Sequence, residues 1–219
     1  MAKKKNIAAK ELISLYMEHV LTHNAPPTSV HAFAKANTFD EALFYTYFAS
    51  FEALEKQIFK TFFDHTLTVL EKSEEYHTFD ARNKVLSFYY TFFENLTANR
   101  SYVMYALAKH KGSLKSLSVL SALRTSFIQF IDSLAIETLD IPQAKLQKIQ
   151  QKTLQESAWF QLLVTLKFWK DDTSASFEKT DIFIEKSVNT SFDLVHIKPL
   201  QSVIDLGKFL FKEKVKMSY

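Results

Sequence analysis

Apolar side chains recur along this chain at intervals of three and four residues, the spacing of one helical face, and no stretch reads as a strand. Over 7–21, Ala8, Leu12, Leu15, Tyr16 and His19 fall on one stripe, which the break from Asn24 to Pro27 ends. Past the paired prolines, Thr28 or Ser29 caps a short helix that carries Val30, Phe33 and Ala34 and stops near Asn37. Asp40 caps a third short helix to about Tyr47, and a break at Ala49 and Ser50 precedes a long helix over 51–75. The same spacing predicts helices over 80–98, 102–110, 114–138, 143–170, 177–194 and 200–214, separated at Asn99 and Arg100, Gly112, 140–142, 171–176 and Pro199. No fixed-period repeat and no low-complexity stretch interrupts this pattern, so the expected fold is all-α.

Composition narrows the chemistry. Only two glycines, Gly112 and Gly207, occur in 219 residues, which removes hairpin-rich β folds and phosphate-cradling loops; no GxGxxG, Walker A or GxSxG string is present. Cysteine is absent, which excludes disulfides, thiol nucleophiles and thiolate metal sites and is compatible with a reducing, cytoplasmic setting. His19, His23 and Glu18 are near enough in sequence to share a metal, but no further ligand spacing supports a site. With no defensible nucleophile, acid–base pair or metal set, neither an enzyme nor a cofactor is expected. Lys3, Lys4 and Lys5 lead into Lys10 and Glu11 rather than an apolar run, so no secretory leader is expected. The most apolar later stretch, 159–169, contains Gln161 and Lys167 and is far short of the roughly 20 residues that cross a bilayer, so a soluble protein without a membrane span is expected.

The segment from Ser29 to Leu54 carries the functional signal. A short helix, a turn and a second short helix, followed by a capped long one, form a helix-turn-helix, able to lay its second helix in a DNA major groove. Its closing run, Tyr45, Tyr47, Phe48, Ser50, Glu52 and Leu54, preceded by Ser29, Val30, Phe33, Ala34 and Lys35, resembles the aromatic-x-Tyr-Phe-x-Ser-x-Glu-x-Leu pattern of the TetR/AcrR family of bacterial repressors. The resemblance is specific over about residues 7–60. It implies a three-helix DNA-binding head (1–50) and a larger antiparallel helical bundle (51–219) that binds a ligand and forms a homodimer.

Several positions depart from the family pattern. Thr38 stands where the family has glycine in the turn, Asp40 where it has serine at the recognition-helix cap, and Glu41 where it often has lysine; Phe51 replaces the usual lysine after Ser50. Two carboxylates at the front of that helix repel a polyanion. None of the three arginines, Arg82, Arg100 and Arg124, lies in the head. Base contacts therefore fall to Thr38, Ala42, Leu43 and Thr46, with Ser29, Lys35, Thr46 and Tyr47 on phosphates of double-stranded DNA and Lys3 to Lys5 as an arm. Tyr45, Tyr47 and Phe48 also fit the core of the head, Phe48 above the other two.

The 21 phenylalanines suggest an apolar pocket as readily as a packed core. The candidates to line it are Phe88, Phe92, Tyr105, Phe127, Phe130, Trp159 and Phe160, with His110 and Glu156, beside Gln129, as polar anchors for an apolar effector or lipid. By their position, helices 143–170 and 177–194 resemble the pair that dimerises in the family, with Leu163, Leu166, Ile184, Val188 and Phe192 as interface candidates; the second helix's stripe fits its own chain, including Val203, Ile204, Leu206, Leu210 and Phe211, equally well. Two functions compete: a repressor released from operator DNA by an apolar ligand, and a lipid- or isoprenoid-binding accessory protein that keeps the fold without binding DNA.

Overall fold

A computed structural model describes residues 7–108, 118–136 and 144–195. Among these residues every regular element is helical and no strand occurs. In chain order the helices are α1 (Ala9–His23), α2 (Val30–Ala36), α3 (Glu41–Tyr47), α4 (Phe51–Leu70), α5 (Glu74–Thr78), α6 (Ala81–Ala98), α7 (Arg100–Ala108), α8 (Ser121–Ser133), α9 (Ala144–Asp171) and α10 (Glu178–Val195), with a single 3₁₀ turn (Ala175–Phe177) before the last. The all-α expectation holds. The chain divides into two compact units, 1–73 with 91–129 and 74–90 with 130–219, and the divisions fall inside α6 and α8.

In the first unit the helix starts are set by short polar side chains. Ser29 Oγ accepts from the Ala32 N–H, Asp40 Oδ1 from Ala42 and Ser50 Oγ from Ala53, each satisfying an amide that the first turn leaves without a helical partner. α1 ends at Asn24, whose φ of 49° places it in the left-handed region that stops a helix. Phe33 on α2 packs edge-on against Tyr16 of α1, Phe39 of the turn, Phe44 of α3 and Phe51 of α4. Burying each such ring contributes about 1.5–3 kcal/mol. α1 also packs on α7.

The expected helix over 51–75 is divided in the structure. Glu71, Lys72 and Ser73 close a turn through Lys72 N–H to Val69 O and Ser73 N–H to Leu70 O, and α5 starts afresh at Glu74. The three residues are exposed and polar, so no apolar packing holds them in a continuous helix. The expected 200–214 helix and parts of those over 102–110 and 114–138 lie outside the described residues.

In the second unit α9 packs against α10. Asp172, buried between them in the chain, accepts from the N–H and Oγ of Ser174 and from the N–H and Oγ1 of Thr180. Burial raises its pKa, but these hydrogen bonds outweigh that and bring it down to about 2. Arg82 on α6 donates to Asp193 (2.7 Å) and Asn189 on α10 and lies over the Phe192 ring.

A polar pair is buried in the first unit. Tyr16 on α1 donates to Glu55 Oε1 on α4 at 2.5 Å, while the buried Tyr102 hydroxyl on α7 has no hydrogen-bond partner among the described residues. Burial raises the pKa of both phenols. Replacing Tyr16 with Phe strips a buried carboxyl of a donor and is expected to cost about 1.5–3 kcal/mol, whereas Tyr102→Phe removes an unsatisfied hydroxyl and leaves stability unchanged or raised by about 1 kcal/mol. Urea unfolding of the two variants measures the contrast.

Candidate functional site

The candidate nucleic-acid interface is built from α2, the turn at Asn37 to Phe39 and α3. On α3 the apolar side chains divide between two faces. Phe44, fully buried, points into the ring cluster around Phe33, and Phe48, which follows the helix, is buried beside it. Ala42, Tyr45, Thr46 and Tyr47 are exposed, Tyr45 by 54% and Tyr47 by 45%, and Leu43 is half-buried. Of the three aromatics that closed the motif, only Phe48 is core. Tyr45, which sequence reasoning did not place among the contact residues, stands on the outward face beside Ala42 and Thr46. Helical spacing put it three residues after Ala42, but nothing in the sequence set which face looked outward.

The polar groups of this segment are turned mostly onto their own backbone. The Thr38 hydroxyl donates to the Asn37 carbonyl (2.8 Å), Thr46 Oγ1 to Leu43 O (2.7 Å) and Asn37 Nδ2 to Phe33 O (2.9 Å). Ser29 and Asp40 are engaged as caps. Glu41 Oε2 lies 3.1 Å from His31 Nδ1, an exposed pair across the start of α2 and the start of α3. Lys35 is exposed on the last turn of α2. The Lys3 to Lys5 arm lies outside the described residues. His19 and His23 stack on each other with centroids 4.2 Å apart, and His23 Nδ1 bonds the His19 carbonyl. Burial, and then the neighbouring His23, lower the pKa of His19. Among the described residues no group of three or more His, Asp or Glu converges as a metal set, and no helix is long and apolar enough to cross a membrane.

Residues 84–210, more than half of the chain, match the family described as Tetracyclin repressor-like, C-terminal domain. The chain belongs to the TetR family of regulators. No curated protein matches it. The match falls on the part after the head, where the motif resemblance was weakest, so the head motif and the later helices point to the TetR family independently.

The effector candidates of this TetR-family chain separate into different environments. In the second unit Phe88 and Phe130 are buried with rings 5.0 Å apart, and Trp159 is buried. In the first unit Phe92 and Phe127 are buried and Tyr105 is half-buried. Glu156 and Phe160, the latter 68% exposed, instead line an open groove of about 720 Å³ on α9 and α10, together with Ile149, Val164, Phe183 and Ser187. His110 lies outside the described residues. Of the interface candidates, Leu166, Ile184, Val188 and Phe192 are buried within the single chain and Leu163 is half-buried. The tail from Val203 to Phe211 lies outside the described residues. Among the described residues, the large apolar side chains that α9 and α10 expose are Ile149, Phe160, Val164, Phe168, Ile182 and Leu194.

Thr38, in place of the family's glycine, takes φ 59°. A β-branched residue in the left-handed region is strained, by roughly 1–2 kcal/mol. Thr38→Gly is expected to raise stability by about 0.5–1 kcal/mol after the added freedom of the unfolded chain is offset, while Thr38→Ala gives no comparable gain. Thermal unfolding of the two variants tests this.

Proposed function

We propose that this TetR-family chain is a cytoplasmic, homodimeric repressor whose head (1–50) binds operator DNA and whose remaining helices (51–219) take up an apolar small molecule that releases it. The observation that carries this reading is the outward face of α3: Ala42, Tyr45, Thr46 and Tyr47 are exposed while Phe44 and Phe48 anchor the helix from behind. A reader helix needs that division, since side chains that hold it in the head are unavailable to a groove. The two carboxylates remain adverse to a polyanion, and both are held by local partners. Asp40 is tied to the Ala42 amide, and Glu41 has His31 beside it. Lys35 and the tyrosine hydroxyls supply donors for phosphate oxygens. Two heads in a dimer would enter successive major grooves about 34–36 Å apart, and an effector that favours another spacing would release the duplex by shifting that population.

The apolar residues exposed on α9 and α10 support a second copy as the partner. Phe160, Val164 and Phe168 follow one another at intervals of four along α9, and Ile182 lies on α10. Phe160→Glu, at an exposed position, is expected to leave the fold intact and turn a dimer into a monomer by sedimentation analysis. An unchanged mass would remove this face from the interface.

DNA binding is tested by titrating the full chain with duplex from its own upstream region and with random duplex over a range of salt. Preference for the upstream duplex, with affinity falling as salt rises, is expected; no binding at low salt would end the reading. The double change Asp40→Ser and Glu41→Lys removes two negative charges and adds a positive one beside the phosphates while serine keeps the cap. It is expected to tighten binding roughly tenfold at low salt and to steepen the salt dependence by about one contact.

A further inference from the structure

We infer that α3 selects its DNA through the methyl groups of thymine, so that the half-site it reads is A·T-rich and carries no guanine held by a bidentate contact. This rests on the DNA-binding reading and adds to it the class of sequence bound.

The inference comes from what the outward surface can still offer a base edge. Guanine presents two acceptors in the major groove and is read by paired donors; adenine is read by an amide that donates and accepts at once. The segment from Thr28 to Ser50 contains no arginine and no glutamine. Its one asparagine, Asn37, gives one Nδ2 hydrogen to the Phe33 carbonyl and sits half-buried at the end of α2, not on the reader helix. The hydroxyl hydrogens of Thr38 and Thr46 are committed to the Asn37 and Leu43 carbonyls. Once those hydrogens are used, the hydroxyls cannot donate to guanine O6 or N7, and each exposed threonine still carries a methyl group. Ala42 adds another methyl, and Tyr45 and Tyr47 add exposed rings whose hydroxyls are single donors, not the paired donors that guanine takes. Lys35, the one lysine of the segment, sits on the last turn of α2 rather than on the reader helix. Alanine and threonine methyl groups meeting the thymine C5-methyl are the base contact this chemistry leaves.

The test is selection of a randomised duplex library by the full-length protein, followed by replacement of each selected thymine with uracil. That change deletes one methyl and keeps every hydrogen-bonding group of the pair. The expected result is an A·T-rich half-site in which uracil at the contacted positions weakens binding about three- to fivefold each, the worth of one buried methyl. Thr46→Ser deletes the side-chain methyl and keeps the hydroxyl; in that variant uracil at one of the positions should no longer weaken binding. A consensus anchored on guanine would overturn the inference and assign Lys35 to a base, leaving DNA binding intact. Uracil duplex bound as tightly as thymine duplex, or salt-dependent binding without any consensus, would overturn it in the same way. Failure to bind any duplex at low salt would overturn both this inference and the function it rests on.

Discussion

The packing of Phe33 is the contact on which the head depends. Its ring touches Tyr16 of α1, Phe39 of the turn, Phe44 of α3 and Phe51 of α4, so one side chain on the first helix of the motif positions the second helix against both flanking rods. α3 is only seven residues long, too short to hold its shape alone. Its direction comes from Phe44 and Phe48 being drawn into that cluster, which leaves the opposite side free to meet a partner. Phe51, the departure from the family's lysine, stacks on Tyr16 at 5.3 Å. What the chain gives up in positive charge at that position it gains in apolar contact between α1 and α4.

Scarcity of glycine is the second constraint. Where the backbone must enter the left-handed region, the described residues use Asn24, Thr38, Ala135, Ser176 and Phe177 instead. Asparagine tolerates that conformation, whereas threonine and phenylalanine do so only under restraint from their surroundings. At Thr38 the restraint is the pair of ring-bearing helices on either side, with Phe39 buried immediately after it. At Ser176 and Phe177 it is the Asp172 carboxylate, which gathers the turn between α9 and α10 through Ser174 and Thr180. Composition does not mark either turn as strained, because a low glycine count reads first as a preference for helix.

The helix-turn-helix was legible because its signals are local. Asp40 caps the helix expected of it, Ser29 is the one of the two candidates that caps α2, and Ser50, expected only as part of a break, caps α4; α3 runs from Glu41 to Tyr47 as the spacing predicts. The long helix over 51–75 was less legible, since its break at 71–73 has no proline or glycine to mark it and arises from the absence of apolar anchoring. The family match over 84–210 lies where aromatic density alone left core and pocket equally open.

The order of side chains along the chain therefore determined the helices, their caps and the family, because capping and 3.6-residue spacing act over a few neighbouring residues. Tertiary structure alone decided which face of each helix turns inward. α9 carries Trp159, Leu162, Leu166 and Trp169 on one side and Phe160, Val164 and Phe168 on the other, two apolar stripes of similar strength. The first is buried and the second exposed; likewise Phe48 is core while Tyr45 and Tyr47 are not. Periodicity states which residues share a face, but the neighbour that covers it is distant in sequence, and only packing selects between two faces that are both apolar enough to be buried.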